Sequence, residues 1–173
     1  MAKSTISVTA RRSLEQAKQG SVGQLLLKCA RLLDEAAIVR ANREEGFPRL
    51  RPVHTKLFPH IDFEGTRLVD LAQRLGVTKQ AVGPWVAELS EMNVVELVPD
   101  AEDGRAKRVR FTAHGARAIH RGLGILRVIE GELADHVGEK RLATLRATLT
   151  DLVPVLEGLA SDSAGSPPPG TAD

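Results

Sequence analysis

At Asn93 the apolar spacing of this chain changes, and no other feature constrains the fold as tightly. Upstream, in TRLVDLAQRLGVTKQAVGPWVAELSEM, apolar residues recur at three- and four-residue steps, the period of a helix with one buried face. Leu68, Leu71, Ala72 and Leu75 make one stripe; Val82, Trp85, Val86, Leu89 and Met92 make a second. Gly76 separates the two, and Thr78 has the side chain of a good N-cap for the second helix. Two short amphipathic helices across a tight glycine turn are the sequence form of a helix-turn-helix. Downstream the period falls to two: VVELV and KRVRF read as strands, and Asp103-Gly104 between them predicts a hairpin. IDFEGTR, just before the first helix, has room for one more short strand.

The hairpin also changes electrostatic sign at its tip. Between Pro99 and Gly104 the charges are Asp100, Glu102 and Asp103. From Arg105 no acid occurs until Glu130, while Arg105, Lys107, Arg108, Arg110, Arg117, Arg121 and Arg127 pass by. The formal net charge is only +2, so the run matters through its position, because a local field is set by where charges sit. It predicts that the tip and the return arm face something anionic. Arginine outnumbers lysine, which suits bidentate phosphate contacts.

Helices frame this centre. Leu14, Ala17, Val22, Leu25, Leu26, Cys29, Leu32, Leu33, Ala36 and Ala37 predict one long helix from Ser13 to Glu45, ended by EGFPRLRP. VHTKLFPH predicts a short helix closed by Pro59. After Thr112 a helix carries Ile119, Leu123, Leu126, Ile129, Leu133 and Val137 on one face, and Gly138 punctuates it. The last helix places Leu142, Leu145, Leu149, Leu152, Leu156 and Leu159 on an a/d seam suited to pairing. Pro154 should bend that helix. SDSAGSPPPGTAD reads as a disordered tail.

Several classes are disfavoured. No apolar run approaches the roughly 18 residues of a membrane span, and MAKSTISVTARRSLEQAK lacks the apolar centre of a secretory signal. A lone cysteine forms no internal disulfide, so a reducing cytoplasm is the expected location. No nucleophile motif, phosphate loop or distinctive carboxylate pair is present, so an enzyme is not expected, nor is a cofactor. His54/His60 and His114/His120 are spaced by six, which does not stack two ligands on a helical face, so no metal site is expected.

Helix-turn-helix, hairpin, FTAHG and a long helix, in that order, resemble the MarR family of winged helix-turn-helix regulators. The likeness runs from about Leu25 to Leu159, and its most specific parts are LAQRLGVTKQAV and DAEDGRAKRVRFTAHG. It implies a mainly α fold with a small β wing: a winged helix-turn-helix domain, plus N- and C-terminal helices that form a dimerisation region. The expected divisions are a flexible N-terminus (1–12), N-terminal helices (13–62), the winged domain (63–111), C-terminal helices (112–160) and a disordered tail (161–173).

The resemblance also implies a cytoplasmic homodimer on double-stranded DNA, acting as a repressor on a pseudo-palindromic operator and released by a small ligand. Two recognition helices, each from Thr78 to about Met92, would enter successive major grooves about 34 Å apart. Thr78, Lys79, Gln80, Gly83 and Pro84 are the expected readers on that helix, with Arg105, Lys107, Arg108 and Arg110 on the wing. Arg105 is implied to enter the minor groove while Asp103 holds the wing tip. A ligand pocket is implied between the dimerisation helices and the winged domain, with Leu26, His54, Leu57 and Phe58 as lining candidates.

Two positions depart from the pattern. Gly83 and Pro84 stand where family members usually present polar or charged side chains. They keep open a second reading, a winged-helix protein-interaction module without sequence-specific DNA binding. Cys29 lies on the apolar stripe, where cysteine is usually inert. The peroxide-sensing branch of the family holds its thiolate with tyrosines, and this chain has none. Trp85 fits the core stripe.

Overall fold

The computed structural model describes the backbone of residues 7–165 and the side chains of residues 7–160. It forms two compact units whose boundary falls at Ile125/Leu126. The first holds the winged domain and the N-terminal helices.

The long N-terminal helix predicted from the apolar stripe is in fact two, α1 (Val8–Gly20) and α2 (Val22–Ala41). Ser21 divides them: its extended backbone ends α1, and its hydroxyl accepts the Gln24 amide at 3.3 Å to cap α2. A side-chain cap of this kind competes with helix continuation, which the apolar period alone does not register. Helix also reaches further towards the N-terminus than the expected flexible segment allows, because Ser7 caps α1 and residues 8–12 are helical. Likewise α7 extends to Gly165, into the stretch expected to be disordered. The rest of that tail, and residues 1–6, lie outside the described residues.

A short helix α3 (Pro52–Thr55) and a 3-10 turn (Phe58–His60) follow, with Pro59 inside the turn rather than closing a helix. Strand β1 (Thr66–Arg67) leads into α4 (Leu68–Arg74), then α5 (Lys79–Glu91). The α4–α5 turn is a Schellman motif. Gly76 is left-handed (φ 67° is seen at Gly46; here φ 65°), the Val77 amide bonds to the Ala72 carbonyl, and the Gly76 amide bonds to Gln73. The end of α5 repeats the device with Asn93 at φ 56°, Val94 bonding to Leu89 and Asn93 to Ser90. This is where the period changes: the left-handed residue turns the chain out of helix and into strand.

Strands β2 (Val95–Pro99) and β3 (Lys107–Phe111) form the wing hairpin, and the antiparallel sheet has the order β1-β3-β2. Leu97 and Thr66 both lie opposite Val109, which is fully buried. Leu57, Leu71, Val82, Val86, Leu89, Val94 and Val109 make the core of the winged domain, with Trp85 packed against it.

The chain leaves the wing through a tight stitch. Thr112 Oγ1 donates to the Asn93 carbonyl at 2.5 Å and accepts the Gly115 amide at 2.9 Å, capping α6 (Ala113–Val137). Gly115 packs so closely that a Cβ there would lie 1.8 Å from the Val94 oxygen. The glycine of FTAHG is therefore a steric requirement. Gly138, at φ 89°, separates α6 from α7 (Glu139–Gly165).

Candidate nucleic-acid interface

Thr78 caps α5, its Oγ1 accepting the Ala81 amide at 3.2 Å. Burying Val82, Val86 and Leu89 turns the opposite face of α5 outward. Lys79, Gln80, Pro84 and Ala87 are exposed on it, and Gly83 is half-buried with no atom within 4 Å of an added Cβ, its chain neighbours aside. Despite Pro84, the segment is helical throughout.

Glu88 points elsewhere. It pairs with Arg51 and lies 2.9 Å from Nε2 of His54, a residue of α3 that is only 1% exposed. His54 Nδ1 accepts the Arg51 amide at 3.2 Å, so the neutral ring with its proton on Nε2 satisfies both partners. Burial pushes the His54 pKa below its ordinary value, against the opposing pull of Glu88. The Glu88 carboxyl is held below the usual range, mainly by the Arg51 hydrogen bond. The back of α5 is thereby pinned to α3.

The wing cations do not share one role. Arg105 and Lys107 are exposed and without an ion-pair partner among the described residues. The Arg105 amide donates to Asp103 Oδ1 at 3.0 Å, and the Ala106 amide to the Asp103 carbonyl at 2.8 Å, closing the turn over Gly104. Arg110 is half-exposed but paired with Glu96, its cross-strand neighbour, at 2.7 Å.

Arg108, expected among the DNA contacts, turns inward instead. Its Nε donates to Asp100 at 2.6 Å and its Nη1 to the Gly65 carbonyl at 3.0 Å. The cause is strand register: on the face away from Val109, Arg108 stands opposite Arg67 of β1, and the buried carboxylate of Asp100 lies between the two guanidiniums. Arg67 reaches Asp100 through two bonds, at 2.7 and 2.9 Å. Asp100 Oδ1 also accepts the amides of Glu102 and Asp103, at 2.9 and 3.0 Å. Those contacts, led by the hydrogen bonds from Arg67, hold the Asp100 carboxyl well below the usual carboxylate range. The acidic arm of the hairpin is thus structural, and the charge reversal exposes cations only beyond Gly104.

The four expected pocket residues do not come together as a lining. His54 and Leu57 are sealed in the core, with His54 committed to Arg51 and Glu88. Phe58 packs edge-on against Phe111, and Leu26 is half-buried on α2. An open depression of about 430 Å³ lies instead along α6, at Ala116, Arg117, His120 and Arg121. Arg121 pairs with Glu44 at 2.6 Å and sits over the Phe47 ring. Cys29, expected on a buried stripe, is exposed in the single chain.

Asp100, Arg67, Glu88 and Arg51 were not singled out from sequence. For Asp100 a local signal exists, since an aspartate just before a turn commonly accepts amides two and three residues ahead. Arg67 and Arg51 act across long sequence separations, for which no local signal exists.

No protein-family model and no curated protein sequence matches the chain. Solved structures do. The reduced form of MarR from E. coli matches with a TM-score of 0.65 at 20% identity, covering 78% of this chain and 97% of that one. A MarR-family regulator from Rhodococcus sp. matches at 0.58 and 20% identity, covering 76% and 91%. The transcriptional repressor CouR, solved on a 23-mer DNA duplex, matches at 0.58 and 16% identity, covering 78% and 93%. At these identities it is the architecture that is shared: the chain has a MarR-like winged helix fold.

Proposed function

We propose that the protein is a DNA-binding transcriptional regulator that acts as a homodimer, represses from a pseudo-palindromic operator and is released by a small ligand. In this reading α5 enters the major groove and the wing tip follows the flanking minor groove, where narrow A·T tracts attract arginine. The observation that carries it is the division of labour in the wing. Asp100, Arg67 and Arg108 brace the hairpin internally, leaving Arg105 and Lys107 unpaired at its tip. Unpaired cations held on a rigid ribbon suit phosphate and minor-groove contact. The DNA-bound CouR, with the same architecture, supports the choice of partner.

The dimer rests on apolar surface that the single chain leaves open. Leu14, Leu25 and Leu32 are 50%, 48% and 45% exposed, and Leu145 and Leu156 of the α7 seam are 49% and 54% exposed. Exposed apolar stripes on helices mark candidate association surfaces. The second reading, a protein-interaction module, draws on Gly83 and Pro84, which give α5 no charged reader at its centre.

Binding to duplex DNA across a salt series tests the proposal. Log affinity should fall with log salt by about 0.9 per neutralised phosphate. Arg105→Ala should weaken binding to every duplex and flatten that slope. An unchanged slope and affinity removes the wing from the mechanism. Failure of a random duplex pool to yield any enriched inverted repeat favours the interaction module.

A further inference from the structure

The outward face of α5 has a composition with a definite chemical preference. Gln80, Gly83, Pro84 and Ala87 follow one another at helical spacing on the side opposite Val82, Val86 and Leu89. None of the four carries a charge. Of the acids beside it, Glu88 is drawn to the other side by Arg51 and His54, and Glu91 continues the stripe only at its C-terminal end. The cation of the helix, Lys79, lies at its first position, away from the centre of this face.

Guanine is read in the major groove by cationic donors to O6 and N7, and this face offers none at its centre. Glutamine matches adenine, donating to N7 and accepting from N6. Proline and alanine have no side-chain donor or acceptor. What they can recognise on a base edge is the 5-methyl group of thymine. Gly83 removes side-chain bulk beside them, so the helix can seat close to the groove floor.

Resting on the DNA-binding reading above, we propose that this face is a thymine-methyl reader. Pro84 and Ala87 contact the 5-methyl groups of consecutive thymines, and Gln80 takes an adjacent adenine. The centre of each major-groove half-site is then A·T, recognised chiefly by shape and methyl contact. Pro84 is a specificity-determining residue rather than a passive kink.

Duplexes selected from a random pool by the full-length protein supply the probe. Within the enriched half-site, each thymine is replaced in turn by uracil, which lacks only the methyl group. At one or two positions this should lower affinity about fourfold, the fold-change that corresponds to one buried CH₂ group. Replacing the same T·A pair with C·G should weaken binding further, and 5-methylcytosine·G should recover part of that loss. In Pro84→Ala, whose helix should fold at least as well as wild type, the uracil penalty at one position should shrink. Enriched half-sites with guanine at their centre, or uracil duplexes bound as tightly as thymine duplexes, overturn the inference and leave the regulator reading standing. A pool with no enrichment overturns the regulator reading itself, and the inference with it.

Discussion

Gly83 and Gly115 are both helical, yet adding a methyl group should have very different consequences. At Gly115 the new Cβ would meet the Val94 carbonyl at 1.8 Å, and a backbone oxygen cannot swing aside as a side-chain tip can. Gly115→Ala should cost more than the roughly 1–3 kcal/mol typical of an overpacked core. Denaturant titration would show it as a large fall in midpoint, or as loss of soluble protein. Gly83 has open space beyond its chain neighbours, and in an ordinary helix alanine would be about 1 kcal/mol better than glycine. The following residue is Pro84, however, and a Cβ before proline clashes with the proline ring in helical geometry. Gly83→Ala should therefore gain little alone and nearer its full value in a Pro84→Ala background. Equal increments in the two backgrounds, measured as a double-mutant cycle, would refute this steric account.

At the scale of elements, two braces set how α5 and the wing are held, and acid should loosen them in order. The His54 pKa is lowered from 6.5 in the folded chain. Its contribution is therefore complete above pH 6.5 and is lost as pH falls through the lowered value, when a proton at Nδ1 displaces the Arg51 amide. The Asp100 carboxyl is lowered from 3.8, so its contribution is complete above that pH and is lost only in stronger acid. Amide exchange between pH 7 and 4 should show α3 loosening while the wing turn stays protected. His54→Gln should remove the first step, and retention of that step would assign it elsewhere. Within the wing, Arg108→Ala should raise exchange at Glu102 and Asp103 and lower DNA affinity indirectly. Arg105→Ala should lower affinity with those amides undisturbed. If both variants leave exchange unchanged, Arg108 is not the brace described here.

For the molecule as a whole, the proposed dimer is the decisive test, because in the single chain α1 buries no residue and α2 buries only Ala41. Sedimentation should report a dimer, and Leu145→Glu with Leu149→Glu should shift it to monomer while the winged domain stays folded. A wild type that sediments as a monomer would end the two-fold binding mode. Apolar period and turn chemistry were enough to read out the order of the winged domain from Leu68 to Phe111, because its two helices each bury one face and repeat that spacing in the chain, and the Asp103-Gly104 turn marks the hairpin between the strands. The Thr78 cap and the Gly104 turn were legible for the same local reason. Not legible were the break at Ser21, the inward turn of Arg108 and the pinning of Glu88 to His54. A capping hydroxyl competes with a helix at one point without altering the apolar stripe. Which of four wing cations stays free depends on strand register and on Arg67, brought alongside from β1. Local spacing determined the elements; only the packed sheet decided which charges were consumed within the fold and which were left for a partner.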